Sequence, residues 1–255
     1  MAEYSAPIKD MRFVLDNIAD LAALSKLDGF EHAESDVVDA VLEEAGKFAG
    51  NVLSPLNKSG DLQGSLVMDG VVSTPDGWNE AYAGFVEGGW NGISAPEKYD
   101  GGGLPSAVAL ATVEMWNAAN LGFSLCPLLT QGAIESIMAH GTKEQQDKYL
   151  KKLVSGEWAA TMNLTESQAG SDVGALRSKA EPAEDGTWRI SGQKIFITYG
   201  DHEMSENIIH LVLARTPGAP AGTRGISLFI VPKYLVNDDG TLGKRNDLKC
   251  VSLEE

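Results

Sequence analysis

Two short segments contain most of the residues in this chain that could perform chemistry. Residues 161–174 read TMNLTESQAGSDVG, and residues 191–200 read SGQKIFITYG. The loop at 165–172 in the first segment offers closely spaced backbone N–H groups and three hydroxyls, and Gly170 allows a tight bend, which together suit an oxygen-rich anion such as a pyrophosphate. The alternative is an ordinary polar turn between strands. The residue types alone favour that turn, because Ser, Gly and Asp are usual turn material.

Two side chains in these segments also have competing interpretations. Thr198 carries a strand hydroxyl, and on its own it is more typical of an ordinary cross-strand residue. Glu166 has a carboxylate that could act as a base, but a carboxylate inside a tight loop more often accepts nearby N–H bonds. Neither residue identifies a reaction by itself.

Composition restricts the classes of partner. The chain has 255 residues, which predicts one or two domains, and a hydrophobic content of 43%, which is enough for a sizeable core. Its formal net charge is −16. Because nucleic-acid binding depends on Lys and Arg neutralising phosphates, this acidity predicts no nucleic-acid partner. Anionic cofactors and substrates would have to be held by local donors instead.

Cysteine and histidine usage indicates neither a disulfide framework nor a metal site. Cys126 and Cys250 are far apart in sequence, and the four histidines share no metal-ligand spacing. The amino-terminal residues lack a charged-then-apolar signal pattern, and no run approaches about 18 uninterrupted apolar residues. These features predict a reducing, cytoplasmic location, no membrane association and no metal.

The elements that must position these residues change type near residue 157. Apolar residues at helical spacing predict six helices before that point. Helices are predicted to start near Pro7 and near Pro75, and to cover 36–52, where Pro55 ends the helix, 105–120 and 126–140. A last helix is predicted to start at a Thr142–Gln145 capping box and to end at Gly156. Gly101–Gly103 is predicted to be a flexible connector between helices. Alternating β-branched residues then predict strands at 158–164, 175–181, 187–198, 207–216, 225–233 and 247–253. The fold class is therefore α+β, with a helical domain over 1–157 and a β-domain over 158–255.

Several ordered motifs resemble those of the acyl-CoA dehydrogenase family. LTESQAGSDV at 164–173 is similar to the LTEPGAGSDV flavin-binding segment of that family, and KIFITYG at 194–200 resembles its K-x-W-I-T-N-G strand. The segment at 90–104 is similar to W-x-x-I-x-x-P-E-x-Y-G-G-x-G-L, and the one starting at His140 resembles a family helix start. The opening residues 4–15 resemble the subgroup that includes 3-methylmercaptopropionyl-CoA dehydrogenase.

This resemblance implies a flavoenzyme that catalyses α,β-dehydrogenation of an acyl-CoA thioester with hydride transfer to FAD. The residues that would bind the cofactor are Met162, Leu164, Thr165, Gly170, Ser171, Phe196, Ile197 and Thr198. Ser171 would also contact the acyl-CoA substrate, and Glu166 would have a structural role. Electrons would pass to an acceptor such as an electron-transfer flavoprotein, and the protein would be a homo-oligomer.

The resemblance also implies an antiparallel β-barrel-like second domain and a carboxy-terminal helical bundle that supplies the catalytic base. Nothing in this sequence corresponds to that bundle, so the chain is interpreted as truncated, inactive alone and a weak FAD binder, with no catalytic residue assigned. The sequence departs from the family pattern at three places: Ser167–Gln168 replaces Pro-Gly, Phe196 replaces Trp, and Tyr199 replaces Asn. The alternatives are a flavoprotein of the same fold without acyl-CoA turnover, such as the DNA-associated alkylation-response relatives, and a non-catalytic interaction module.

Overall fold

The first part of the molecule is helical. The computed structural model describes residues 4–254. Its helices before the β-domain are Ile8–Asn17 (α1), Leu21–Leu24 (α2), Ser35–Phe48 (α3), Ser54–Gln63 (α4), Trp78–Glu87 (α5), Ser106–His140 (α6) and Lys143–Ser155 (α7). A small hairpin, Leu66–Met68 (β1) with Val71–Ser73 (β2), lies between α4 and α5. Between residues 4 and 254, every helix is too short or too polar to span a bilayer.

The predicted end of the second long helix at Pro55 is wrong. Helix α3 continues through a π-helical turn, Ala49–Leu53, directly into α4. Pro55 lies in the first turn of α4. A proline is tolerated there because the π-helical turn before it already interrupts the regular α-helical hydrogen-bond pattern. Pro55 therefore begins a helical segment where the sequence predicted an end.

The two predicted helices at 105–120 and 126–140 form one element, α6, with a break at Asn120. The φ and ψ angles of Asn120, −159° and 88°, are not helical. Its side-chain oxygen accepts the backbone N–H of Phe123 at 3.0 Å, and its side-chain nitrogen donates to the carbonyl of Leu53 at 3.3 Å. Asn120 therefore acts as an N-cap for the second half of α6, and the chain needs no loop between the halves.

The predicted boundaries of the last helix agree with the structure. The Thr142 hydroxyl accepts the backbone N–H of Gln145 at 3.2 Å, and the Gln145 side chain accepts the N–H of Thr142 at 2.9 Å. This reciprocal pair is a complete capping box at the start of α7. Gly156 ends the helix with a φ of +84°, a conformation that glycine adopts without a steric cost.

The β-domain is built around a three-stranded sheet. The strands of the whole domain are Trp158–Asn163 (β3), Lys179–Pro182 (β4), Trp188–Ser191 (β5), Asn207–Ala214 (β6), Ser227–Pro232 (β7), Tyr234–Val236 (β8) and Leu242–Arg245 (β9). The three-stranded sheet consists of β3, β6 and β7. Strand β6 lies in the centre of the sheet, parallel to β3 and antiparallel to β7. Strands β4–β5 and β8–β9 form separate antiparallel pairs.

Three details of the predicted β-domain are corrected. The sheets of residues 4–254 do not close into a barrel and are not wholly antiparallel, so "antiparallel β-barrel-like" is too specific. The strand predicted at 187–198 ends at Ser191, because Gly192, Phe196 and Tyr199 all have positive φ angles that interrupt extended backbone. No strand forms in the described part of 247–253. Residues 1–3 and 255, at the outer ends of the two predicted domains, lie outside the described part of the chain.

Two hydrophobic clusters join the helical part of the molecule to the β-domain. The first lies among the helices and contains the aromatic residues Phe85, Trp116 and Phe123, and it also includes Ala159 of β3. The second joins helices α6 and α7 to the central sheet. At the sheet edge, the backbone N–H of Ala160 donates to the Thr130 hydroxyl of α6 at 3.0 Å. This contact satisfies an edge-strand N–H that would otherwise be buried without a partner.

Candidate functional site

The structure brings the two segments singled out in the sequence into direct contact. The backbone N–H of Ile195 donates to the carbonyl of Thr165 at 3.0 Å. The Lys194 ammonium donates to the carbonyl of Leu164 at 2.9 Å. These bonds join the residues of the first segment just after β3 to the irregular stretch after β5. The two segments therefore form one continuous platform.

Glu166 and Lys194 stabilise the contact between the two segments of this platform. Their side chains form an ion pair at 2.9 Å and are only 5% and 9% exposed. Glu166 also accepts the backbone N–H groups of Arg177 at 2.7 Å and Ser178 at 3.0 Å. Burial by itself would raise the pKa of Glu166, but these hydrogen bonds and Lys194 lower it from 4.5 to about 2. A carboxylate with its oxygens so committed is a poor base, and its contacts are those of the structural role expected from the sequence.

The polar loop at 167–172 leaves donor groups available. Gly170 and Ser171 are both exposed. Their backbone N–H groups donate to no other residue within the described range 4–254. The turn that precedes Gly170 is closed by a pair of backbone bonds between Glu166 and Ala169, at 2.9 and 3.1 Å. A short loop with exposed, unpaired N–H groups can accept an oxygen-rich anion.

The second segment has a strained backbone. Phe196 and Tyr199 have φ angles of +56° and +53°, in the left-handed region that bulky residues rarely adopt. Each such residue costs about 1–3 kcal/mol and persists only where surrounding contacts enforce it. Phe196 is also 68% exposed, and Thr198 is exposed beside it. The segment therefore presents an aromatic ring and a hydroxyl outward at an energetic cost.

A broad cleft of about 3000 Å³ lies in front of this segment. Phe196, Ile197 and Thr198 line the cleft, as do Asn120 and Gly122 at the break of α6. The other five predicted site residues do not line it. Met162 is half-buried and packs against the second hydrophobic cluster, Leu164 and Thr165 are half-buried, and Gly170 and Ser171 are on the exposed loop.

Sequence reasoning missed the residues that connect this platform to its surroundings. Lys194 belongs to the second motif but has no role predicted from it, although the joint presence of Lys194 and Glu166 in the two motifs could have suggested their pairing. Tyr199 lies at the end of the second motif, His202 follows it, and both contact α6. Burial lowers the pKa of His202 to about 4, so the imidazole is neutral at pH 7. No sequence pattern would have identified these contacts, because they depend on how α6 packs.

Comparison with known protein families identifies matches along most of the chain. Residues 36–157 match the model of the acyl-CoA dehydrogenase N-terminal domain, and residues 161–246 match that of the acyl-CoA dehydrogenase middle domain. The chain belongs to the acyl-CoA dehydrogenase family. The second match contains both segments of the platform, including Glu166 and Lys194.

Two curated acyl-CoA dehydrogenases illustrate the degree of similarity. The chain is 47% identical over 98% of its length to 3-methylmercaptopropionyl-CoA dehydrogenase of Ruegeria pomeroyi. It is 38% identical over 98% of its length to butyryl-CoA dehydrogenase of Syntrophomonas wolfei. It covers 43% and 42% of the lengths of these two proteins, respectively. The subgroup indicated by residues 4–15 is thus among the similar proteins.

Solved acyl-CoA dehydrogenase structures share the fold. The acyl-CoA dehydrogenase of Bacillus anthracis, determined in complex with FAD, superimposes with a TM-score of 0.63 at 25% identity, over 79% of this chain and 32% of that one. The predicted α+β fold, a helical domain followed by a sheet domain, is therefore confirmed, apart from the barrel closure corrected above.

Proposed function

We propose that the protein is an FAD-dependent acyl-CoA dehydrogenase that removes hydrogen from the α and β carbons of an acyl-CoA thioester. The observation that carries this proposal is the platform formed by the two family segments, which presents Phe196 and Thr198 to the cleft and free N–H groups on the adjacent loop. The 47% identity to an enzyme named for an acyl-CoA substrate supports the same class of reaction.

The residues present fit a flavin cofactor. Phe196 offers an exposed ring for packing against an aromatic heterocycle, although it lacks the indole N–H of the family tryptophan. Thr198 offers a hydroxyl to the ring system. The unpaired N–H groups of Gly170 and Ser171 suit the pyrophosphate, and Met162, Leu164 and Thr165 complete the proposed cofactor-binding set.

The chain's own residues bind and orient in this reaction. Bound FAD would supply the acceptor for the hydride that leaves the β carbon. Thr198 would hold the flavin ring by one hydrogen bond, and Ser171 would contact both the cofactor and the thioester substrate. The ion pair between Glu166 and Lys194 holds the two segments together. Glu166 is not the base that removes the α-proton, because its oxygens are occupied and its pKa is lowered to about 2.

The family relationship supports two further parts of the proposal. A redox partner such as an electron-transfer flavoprotein would receive the electrons, and the working protein would be a homo-oligomer.

The proposal is tested by reducing the bound flavin with substrates. Protein expressed from its complete gene should copurify with FAD, and its visible absorbance should bleach anaerobically with at least one acyl-CoA. The panel should include 3-methylmercaptopropionyl-CoA and butyryl-CoA, after which the two similar enzymes are named. Retained FAD that no acyl-CoA bleaches would favour a flavoprotein without acyl-CoA turnover, and absence of FAD would favour an interaction module.

Replacing Ser171 with alanine is expected to weaken FAD and acyl-CoA binding by about 2- to 10-fold, the equivalent of one lost hydrogen bond. Ser167→Ala is the matched control, because Ser167 is an exposed serine of the same loop at the position where relatives carry proline. Isothermal titration with FAD and with butyryl-CoA measures both affinities. If the two variants bind both ligands as tightly as the wild type, the loop is an ordinary turn.

A further inference from the structure

The five residues after Thr198 connect the platform to the helical half of the molecule. We call residues 199–203, Tyr-Gly-Asp-His-Glu, the clasp. The Tyr199 hydroxyl donates to the carbonyl of Gly122 at 2.7 Å, two residues past the break at Asn120. One carboxylate oxygen of Glu203 accepts the N–H of Thr74 at 2.8 Å and its hydroxyl at 2.9 Å. The clasp therefore contacts α6 and the segment that precedes α5.

His202 fills the space between these contacts. Its ring is buried, lies nearly perpendicular to the Tyr199 ring at 5.7 Å between centroids, and has its Nε2 atom 3.9 Å from the Cys126 thiol of α6. Its Nδ1 atom accepts the backbone N–H of Met204 at 3.2 Å. Tyr199 is thus supported on one side by a buried ring that also contacts α6.

The clasp is also fastened to the β-domain. The Asp201 carboxylate pairs with Lys233 at 2.5 Å and with Arg245 at 3.3 Å. Lys233 also donates to the carbonyl of His202 at 2.8 Å. The clasp is therefore attached to both the helical domain and the β-domain.

The two left-handed residues bracket the part of the platform that faces the cleft. Phe196 and Tyr199 flank Ile197 and Thr198, and the Gly200 N–H donates to the carbonyl of Ile197 at 3.0 Å across this turn. A strained turn keeps its shape only if outside contacts enforce it. The Phe196 side chain is mostly exposed and supplies little such support, whereas the Tyr199 side chain attaches the other end of the turn to α6.

We propose that Tyr199 is a positioning residue, which sets the orientation of Phe196 and Thr198 toward their ligand by anchoring the strained turn to the carbonyl of Gly122. Burial raises the pKa of Tyr199, so its hydroxyl remains a donor across the physiological range. The inference rests on the proposed function only for the identity of the ligand as FAD. The anchoring itself is a property of the protein without ligand.

Tyr82 provides a matched control. Its hydroxyl also donates to a backbone carbonyl, that of Gly156, at 2.8 Å, and its ring is buried in the first hydrophobic cluster. Removing this hydroxyl deletes the same kind of bond away from the turn at 196–199. A general loss of stability should therefore appear in both tyrosine-to-phenylalanine variants, whereas a loss of positioning should appear only in Tyr199→Phe.

The first experiment is hydrogen exchange in the absence of FAD. In Tyr199→Phe, the amides of Ile195 and Gly200, which are hydrogen-bonded within the platform, should exchange about fivefold faster, the factor that one net hydrogen bond represents. Tyr82→Phe should leave these two amides unchanged. Unchanged exchange in Tyr199→Phe, or equal acceleration in both variants, would overturn the proposal. This result does not depend on whether the protein binds FAD.

The second experiment measures FAD affinity and the visible absorption spectrum of the bound flavin in protein expressed from its complete gene. Tyr199→Phe should raise the Kd about fivefold and shift the flavin bands, whereas Tyr82→Phe should lower the Tm without altering either. Tyr199→Asn separates strain from anchoring, because asparagine tolerates the left-handed conformation and is too short to reach Gly122. If Tyr199→Asn binds FAD as the wild type does, anchoring is not what orients the turn. If the wild type itself takes up no FAD, the proposed function fails and the exchange result alone decides the role of Tyr199.

Discussion

Lys194→Ala is expected to lower the free energy of unfolding by about 3–5 kcal/mol, because it leaves the buried Glu166 carboxylate without its cation. Glu166 would retain only its bonds from N–H groups, and the carbonyl of Leu164 would also lose a donor. The two segments of the platform should separate, and FAD affinity should fall together with stability. Urea unfolding at pH 7 measures the first effect, and FAD titration measures the second.

Lys151→Ala is the control for this substitution. Lys151 pairs with Asp100 at the same 2.9 Å distance, but the two side chains are 59% and 69% exposed. Exposed pairs contribute at most about 1 kcal/mol, so Lys151→Ala should leave the urea midpoint almost unchanged. Equal losses in the two variants would show that the platform does not depend on a buried ion pair.

The pH dependence of stability gives an independent check on Glu166. Its pKa is lower in the folded protein, about 2, than the ordinary value of 4.5, so its contribution is complete above 4.5 and is lost as the pH falls toward 2. This contribution amounts to about 3 kcal/mol at pH 7. Lys194→Ala allows Glu166 to take up a proton at a higher pH. The stability difference between the wild type and this variant should therefore be smaller at pH 3 than at pH 7.

Trp116→Ala is expected to destabilise the protein by about 3–5 kcal/mol, because it opens a cavity in the centre of the helical half. Trp116 is fully buried and packs edge-to-face against Phe48, Phe85 and Trp90, with centroid distances of 5.7, 5.7 and 5.4 Å. The loss should appear in thermal and urea unfolding monitored by circular dichroism.

Trp188→Ala is the matched variant on the surface of the β-domain. Trp188 is 43% exposed and makes one edge-to-face contact with Phe229, at 5.6 Å. Its removal forms no enclosed cavity. Losing the aromatic contact should lower the free energy of unfolding by about 0.5–1.5 kcal/mol, in addition to the effect of the buried apolar surface that is lost. If Trp116→Ala costs no more than Trp188→Ala, the aromatic cluster is not the main support of the helical half.

Features that depend on neighbouring residues in the sequence were predictable. The capping box at Thr142 and Gln145, the stop at Gly156 and the change from helix to strand after it follow from contacts within a few residues. The family motifs also located both segments of the platform along the chain. Which of the eight predicted site residues bind the cofactor remains a prediction.

The sequence by itself determined the α+β class, the family and the two segments, because local spacing and motif identity carry that information. Only the tertiary structure decided that β3 runs parallel to β6, that α6 continues through a capped break at Asn120, and that residues 192–198 are irregular. It also decided the pairing of Glu166 with Lys194 and of Tyr199 with Gly122, which lie 28 and 77 residues apart. Contacts between such distant residues depend on how whole elements pack, and no local pattern records that packing.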